Sequence, residues 1–351
     1  MEKFSYTKFK EININDSFFD SLKEDYSEFE TWFKKKSISN ESAYIQTLDN
    51  DIAGFLYLKI ESGPITDVFP SIHCEKAVKI GTMKIKPHGT RLGERFIKRS
   101  IDFAIENNIS LLYVTVFSKH KTLINLYEKY GFKKFATKNT INGLENVLVK
   151  DLNFNHNDFI KNYPKVNINS KAYILSIRHN YHPILFPDSL LNTDSYDLIK
   201  DVSHTNSIEK IYICRMPGVA KLKPGDLLVM YRMKDPNEPG YARYKSVATS
   251  LCVVESLKLI KDFPNYFEFK NHCKNYSIFD DRSLQYFYKN RYLDYYIIKM
   301  TYNIAFNKRL TNGYLKDFIG INPTYWGFVD ITNSQLKKIL TAAEINTNYF
   351  L

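Results

Sequence analysis

The chain has 351 residues, 44% hydrophobic and 15% aromatic, so it carries too much apolar material for a disordered chain and more length than one core usually serves. Its formal net charge is +11, with 23 basic and 19 acidic residues in 1–150 (+4) and 26 and 19 in 151–351 (+7). Two domains are expected, and the basic excess favours a polyanionic partner such as RNA. The first ten residues carry charges where a signal peptide needs an apolar run, and no stretch reaches the roughly 18 apolar residues of a membrane span, which excludes a membrane protein and points to a cytoplasmic one. Cys74, Cys214, Cys252 and Cys273 form no C-x-x-C pair, so neither a metal site nor a disulfide framework is expected.

The first half alternates strand and helix. Residues 4–12 alternate like a strand, Asp16 is placed to cap a helix over 17–36, and Phe18, Phe19, Leu22, Tyr26, Phe29 and Phe33 recur on one face of it as core. Residues 43–47 and 52–60 read as a hairpin, and 78–86 as a third strand stopped by Pro87. A glycine-containing turn, His88-Gly89-Thr90-Arg91-Leu92-Gly93, leads into a helix over 94–107. After it come an apolar strand over 111–117, a helix over 119–130 stopped by Gly131, and closing strands over 132–137 and 147–152.

A strand, a glycine turn and a helix start bring backbone N–H groups and the positive end of a helix dipole to one point, which suits a pyrophosphate. By itself that pattern is more often a plain βα turn. With Leu126-Tyr127-Glu128-Lys129-Tyr130-Gly131-Phe132 two elements later, however, residues 1–152 resemble the GNAT acetyltransferase family. The resemblance implies a mixed β-sheet flanked by helices, acetyl-CoA as cofactor, and N-acyl transfer to an amine. It puts the cofactor on Met83 and Ile85, through main-chain groups, on the turn His88, Gly89, Thr90, Arg91, Leu92 and Gly93, and on His120. His88 stands where the family has Arg or Gln, and Arg91 where it has its first glycine; the guanidinium could instead contact phosphate. Lys84, Lys86, Arg95, Lys98 and Arg99 add positive charge nearby, partly as helix surface. Tyr127 coincides with the family's general acid, which protonates a departing thiolate; its other reading is an aromatic packed on the sheet. Glu61, His73 and Glu75 are alternatives for the base or for surface.

Residues 153–169, rich in Asn with one Pro, read as a linker. Beyond it, strands are expected at 172–177, 208–215, 226–232, 244–256 and 295–304, and short helices at 181–191, 266–275, 281–289 and 334–343. The segments Tyr173-Ile-Leu-Ser-Ile-Arg178, Ile208 to Arg215, Leu222-Lys-Pro-Gly-Asp226 and 246–256 together resemble the PUA superfamily of ASCH and EVE type. That resemblance gives 170–351 a small β-barrel with peripheral helices, and the whole chain an α+β class. It implies binding of RNA or a modified base, for which Arg178, His179, Tyr181, Arg215, Tyr231 and Arg232 are the candidates, by stacking and phosphate contact; otherwise they are wall and rim. Tyr325-Trp326-Gly327-Phe328 is a base pocket or, more simply, core.

Two functions follow. One is an acetyl-CoA-dependent N-acetyltransferase whose amine is carried by an RNA such as tRNA or an aminoacyl-tRNA; the other is a nucleic-acid or modified-base binding module with a degenerate, non-catalytic first domain. The acceptor and the oligomeric state leave no mark in the sequence.

Overall fold

The computed structural model describes residues 3–49, 51–86, 89–191 and 202–351, and the chain divides into two compact units, Met1–Asn155 and His156–Leu351. Pro87 and His88 lie outside the described residues, so the reading of His88 is not addressed by the structure. The first unit runs β1 (Lys3–Lys8), α1 (Asp20–Asp25), α2 (Phe29–Ile38), β2 (Ser42–Leu48), β3 (Asp51–Ser62), β4 (Lys76–Ile85), α3 (Leu92–Glu106), β5 (Leu111–Phe117), α4 (Lys121–Lys129), β6 (Lys133–Thr140) and β7 (Gly143–Asp151). These strands form one seven-stranded sheet in the order β1-β2-β3-β4-β5-β7-β6. Only β4 and β5 run parallel, joined by the α3 crossover, so the sheet is mixed and flanked by helices as the sequence implies.

Each face has its own core. On one, Phe9, Phe19, Phe33, Phe55 and Tyr57 interlock edge to face, with Phe29 tilted against Phe19 and Phe33, in the core that α1 and α2 cover. The other is covered by α3 and α4: a β-carbon on Gly54 of β3 would come within 2.7 Å of Phe96 and 2.8 Å of Leu92, so α3 lies directly on the strand there. The helix expected over 17–36 is broken. Asp16 caps a 3-10 turn by accepting from Phe18 N at 2.8 Å, and α1 then ends at Tyr26, whose extended backbone turns its ring onto Phe117 and its hydroxyl to Glu145.

The second unit contains β8 (Ala172–Ile177), β9 (Glu209–Cys214), β10 (Leu227–Arg232), β11 (Val247–Leu259), β12 (Tyr296–Thr311) and β13 (Phe328–Ile331), with helices α5 (Tyr266–Cys273), α6 (Asp281–Lys289) and α7 (Asn333–Ala342). Its sheet order is β13-β8-β10-β11-β12-β9, with β8 and β10 parallel, and the end strands β13 and β9 are not hydrogen-bonded to each other among the described residues. Alternate residues of β8 feed two cores, Ala172 and Ile174 on one side and Tyr173, Leu175 and Ile177 on the other, which is why this strand reads as a continuous apolar run. The stretch read as a linker joins this unit before residue 170: Asp158 caps the turn Phe159–Asn162, Tyr163 and Val166 are buried, and Val166 bridges to Phe350. The helix expected over 181–191 is only the turn His182–Leu185 and a 3-10 turn at Pro187–Ser189, because Pro187 cannot continue the helix. Among the described residues no helix is long and apolar enough to cross a membrane, and no three His, Cys, Asp or Glu side chains are grouped to hold a metal ion. None of the four cysteines is in a disulfide among the described residues.

One buried charge marks the first unit. Lys150 of β7 is 3% exposed, donates to the Tyr130 carbonyl at 2.8 Å, and is pushed by burial down to about 7. The unfolded chain holds this proton up to the ordinary lysine range, so it binds more protons than the folded state between about pH 7 and 10, and Lys150 makes stability rise with pH there. Urea unfolding should show the wild type gaining on Lys150→Met by up to roughly 1.4 kcal/mol per pH unit across that window. A pH-independent difference between the two would show that Lys150 is charged in the folded protein.

Candidate functional site

The site is created by a fault in β4. Tyr57 pairs with Thr82 and Leu58 with Ile80, so Gly81 is an extra, bulged residue facing β3. A β-carbon there would lie 2.8 Å from the Tyr57 ring, which makes glycine the fitting residue. Parallel pairing between β4 and β5 covers only Val78–Leu112, Lys79–Tyr113 and Ile80–Val114 and stops at the bulge. Past it, residues 81–85 of β4 stay with β3, residues 115–117 of β5 stay with β7, and the two strands no longer pair with each other.

Lys86 N donates to Ala53 O at 2.8 Å, so by the two-residue alternation the main-chain groups of Lys84 face β3 and those of Met83 and Ile85 face the opened edge. An extended ligand can add to that edge as a strand would. At the end of β4 the chain passes Gly89 (φ +80), where a β-carbon would meet nothing within 4 Å, and Arg91 (φ 58), the left-handed residue that precedes α3. Arg91 therefore occupies a conformation that glycine adopts without cost. Among the described residues no side chain caps α3: Glu94 N turns back to Arg91 O at 2.9 Å, and the amides of Leu92 and Gly93 point out of the first turn without an intrahelical acceptor. Two outward amides at a helix start suit an anion.

The side chains around this turn are placed otherwise than a phosphate cluster needs. Arg91 donates to Glu94 at 2.6 Å, Lys129 reaches the same carboxylate at 3.1 Å, Lys98 pairs with Asp102 at 2.6 Å, and Arg99 pairs with Glu106. Arg95 lies over Phe4, and Lys84 over Phe18 with Ser21 at 2.5 Å. The bidentate phosphate contact expected of Arg91 is thus replaced by an ion pair with a 4%-exposed glutamate. Gly93 is small for packing: a β-carbon would come within 2.6 Å of Leu126 and 3.2 Å of Ile85, so it seats α3 against α4 and β4.

Tyr127 and Met83 are brought together. The Tyr127 ring is wholly buried against Phe132, and its hydroxyl donates to Met83 Sδ at 3.2 Å. Burial pushes its pKa far up, so the phenol stays protonated and keeps a proton to donate. His120 is turned away to Asp25, 3.1 Å from Nε2, a carboxylate that Lys119 also holds. Of the proposed bases, Glu61 is opposed by burial yet held below the usual carboxylate range by the Tyr113 hydroxyl, Lys79 and Lys59, as a structural ion pair. It stands opposite Ala77, six residues or about 20 Å along β4 from Met83, and exposed His73 and Glu75 lie at that same far end. None of the three reaches the opened edge.

The sequence reading missed two parts of the site. Gly81 is one, although an isolated glycine inside a strand is a recognised bulge signal. The other is Glu145, opposite Phe117 at the open end of β5, 3% exposed and accepting from the Tyr26 hydroxyl at 2.8 Å. Among the described residues no cation lies within ion-pair distance of it. Burial, then Glu145, raises the Tyr26 pKa, so that hydroxyl also stays protonated. The loop after α1 is tied over this end: Ser27 N and Oγ donate to Asn142 Oδ1 at 3.3 and 3.2 Å, and Asn142 Nδ2 donates to Glu28 at 2.8 Å. No sequence spacing joins residues 26 and 145.

In the second unit the six expected nucleic-acid residues separate. Arg232 and Ile177 are register partners, so Arg178, His179 and Arg232 share one end of the parallel pair β8–β10. Arg178 is exposed, His179 Nδ1 is 3.5 Å from Asp235, and Tyr181 packs edge-on to Phe279. Arg215 follows β9 at the opposite end of β11 from Arg232 and lies over Tyr295. Tyr231 is core, 3% exposed, stacked on Trp326 at 5.1 Å and accepting from Asn312 at 2.8 Å, so it is withdrawn from the set.

No family model matches the chain, and no curated protein matches it. Solved structures are similar to its N-terminal part. The NatC complex bound to Gag peptide and CoA is 16% identical over 43% of this chain and 99% of that one, with a TM-score of 0.30. An IAA acetyltransferase from Bacillus cereus is 15% identical over 43% and 100%, at 0.32. The loading GNATL domain of CurA from Lyngbya majuscula is 13% identical over 43% and 98%, at 0.33.

Substitution separates the two glycines from ordinary strand and helix positions. Gly81→Val should lower the melting temperature by several degrees, because the Tyr57 ring must move. Gly93→Leu should do the same by prising α3 from Leu126 and Ile85. Unchanged melting in both, followed by circular dichroism, would mean that neither close approach exists in solution.

Proposed function

We propose that the first unit is an acyltransferase of the GNAT kind that takes acetyl-CoA and acetylates an amine. The observation that carries this reading is the unpaired edge of β4 beyond Gly81, ending beside the uncapped start of α3. When bound, acetyl-CoA supplies an activated acyl thioester. The residues fit such a group: Met83 and Ile85 offer main-chain groups to an extended arm, and the amides of Leu92 and Gly93 offer donors to a diphosphate, with open space at Gly89. Arg91 and Lys129 together outweigh the single Glu94 carboxylate between them, so the field at the turn stays positive.

Tyr127, protonated and beside Met83, holds a proton at its hydroxyl on the α4 side of the gap, where a thiolate leaving group would need one. Glu145 and the Tyr26 hydroxyl sit on the opposite face, beneath the loop tied by Ser27 and Asn142. There they orient a cationic amine, and Glu145 takes up its proton directly or through water. Acid and base therefore stand on opposite faces of the sheet, and the gap between β4 and β5 connects them.

For the second unit we propose a PUA-like role in holding RNA, supported by its charge, 26 basic against 19 acidic residues in 151–351. An RNA-borne amine such as an aminoacyl-tRNA is then the first acceptor class to test. The carboxylates that occupy Arg91 and His120 favour a second reading, in which the turn no longer supports turnover and the chain only binds nucleic acid or a modified base.

The full chain should gain thermal stability with acetyl-CoA and transfer labelled acetyl to an amine. Tyr127→Phe should retain the thermal shift and lose about a hundredfold in kcat, whereas Glu145→Gln should mainly raise KM for the amine. Absence of any acetyl-CoA shift removes the enzyme; a shift without transfer of label leaves the binding module.

A further inference from the structure

The second unit has an open groove far in sequence from the strand-end residues discussed above. Its volume is about 590 Å³, and it runs between residues 312–319, which pass from a turn of α-helix into a turn of π-helix, and helix α7. On one wall Tyr314 and Phe318 stack with their centroids 4.8 Å apart and their planes 28° from parallel. Tyr314 is half-buried against the core, while Phe318, stacked on it, remains 67% exposed. On the other wall stand Lys337 and Lys338 of α7, with the hydroxyls of Ser334 and Thr341.

The charges at this groove are of one sign. α7 contains no acidic residue, and among the described residues neither Lys337 nor Lys338 has a carboxylate partner. The acid next to Phe318, Asp317, is taken by Arg243. Lys316, on the same turn, lies over the Trp326 ring at 5.8 Å and does not line the groove. An exposed ring beside lysines without carboxylate partners is the combination that holds a single strand: bases stack on rings whatever their sequence, and cations track the phosphates. A protein partner would find little aliphatic surface here, since Ile319 is buried and Ala342 is small.

We propose that this groove binds single-stranded RNA, a base stacking on Phe318, phosphates meeting Lys337 and Lys338, and the ribose 2′-hydroxyl meeting Ser334 or Thr341. The proposal is independent of acyl transfer in the first unit and moves the main RNA contact away from Arg178 and Arg232. It is tested by fluorescence anisotropy of labelled oligouridine (rU12) with the full chain at 50 and 200 mM salt. Phe318→Ala should weaken binding about tenfold at both salts. Lys337→Glu with Lys338→Glu should weaken it more at the lower salt and flatten the salt dependence. Both variants change exposed side chains, so circular dichroism and the acetyl-CoA thermal shift should be unaltered, which separates failure here from failure of the enzymatic reading. The proposal is overturned if rU12 does not bind, if neither variant weakens it, if oligothymidine binds as tightly as rU12, or if Arg178→Glu abolishes binding while Phe318→Ala does not.

Discussion

Everything proposed for the first unit depends on one extra residue in β4. Because Gly81 bulges against β3, the strand bends where its parallel partner β5 would otherwise have continued to pair, and from there the two strands keep only their outer neighbours. The cost is a row of unsatisfied main-chain groups at Met83 and Ile85. An unpaired edge inside a sheet is a liability unless something pairs with it, and here the adjoining elements are arranged as though a ligand does. α3 starts without a cap beside it, α4 sets Tyr127 against Met83, and the loop after α1 closes over the far face.

Electrostatics refine the picture that composition suggests. The basic residues at and after the turn look like a phosphate cluster in sequence, yet Lys98 and Arg99 pair with acids four and seven residues on within α3, and Arg91, just before it, pairs with Glu94. In the proposed enzyme, anion binding at the turn therefore falls to backbone amides, which no substitution of lysine for arginine would alter. In the second unit the reverse holds at the groove beside α7, where lysines stand without carboxylates and next to an exposed ring. Net charge alone would have ranked the two regions differently.

Much of the architecture was legible because hydrophobic period and punctuation agreed. β5, β8 and α6 lie where their patterns put them, and Gly131, with φ 87, ends α4 as a left-handed glycine should. Long-range contacts decided the rest. The apolar stripe over 17–36 is continuous, but Tyr26 leaves the helix to reach Glu145, 119 residues away. β13 was missed because four residues carry too little pattern, and its place is fixed by pairing with β8. Tyr231 looked like a stacking residue, being aromatic at a strand end; only the fold shows that Trp326 already occupies its face. The catalytic reading of Tyr127 was available from a motif, whereas the buried carboxylate opposite it was not, since burial is a property of the assembled sheet.

Amide hydrogen exchange, followed residue by residue by NMR with and without CoA, tests the central claim most directly. The account predicts fast exchange at Met83, Ile85, Leu92 and Gly93 in the free protein and marked slowing when CoA is added, while Lys84 and Lys86, already bonded to β3, change little. Slow exchange at Met83 and Ile85 in the free protein, or protection by CoA that appears elsewhere and spares these four amides, would contradict it.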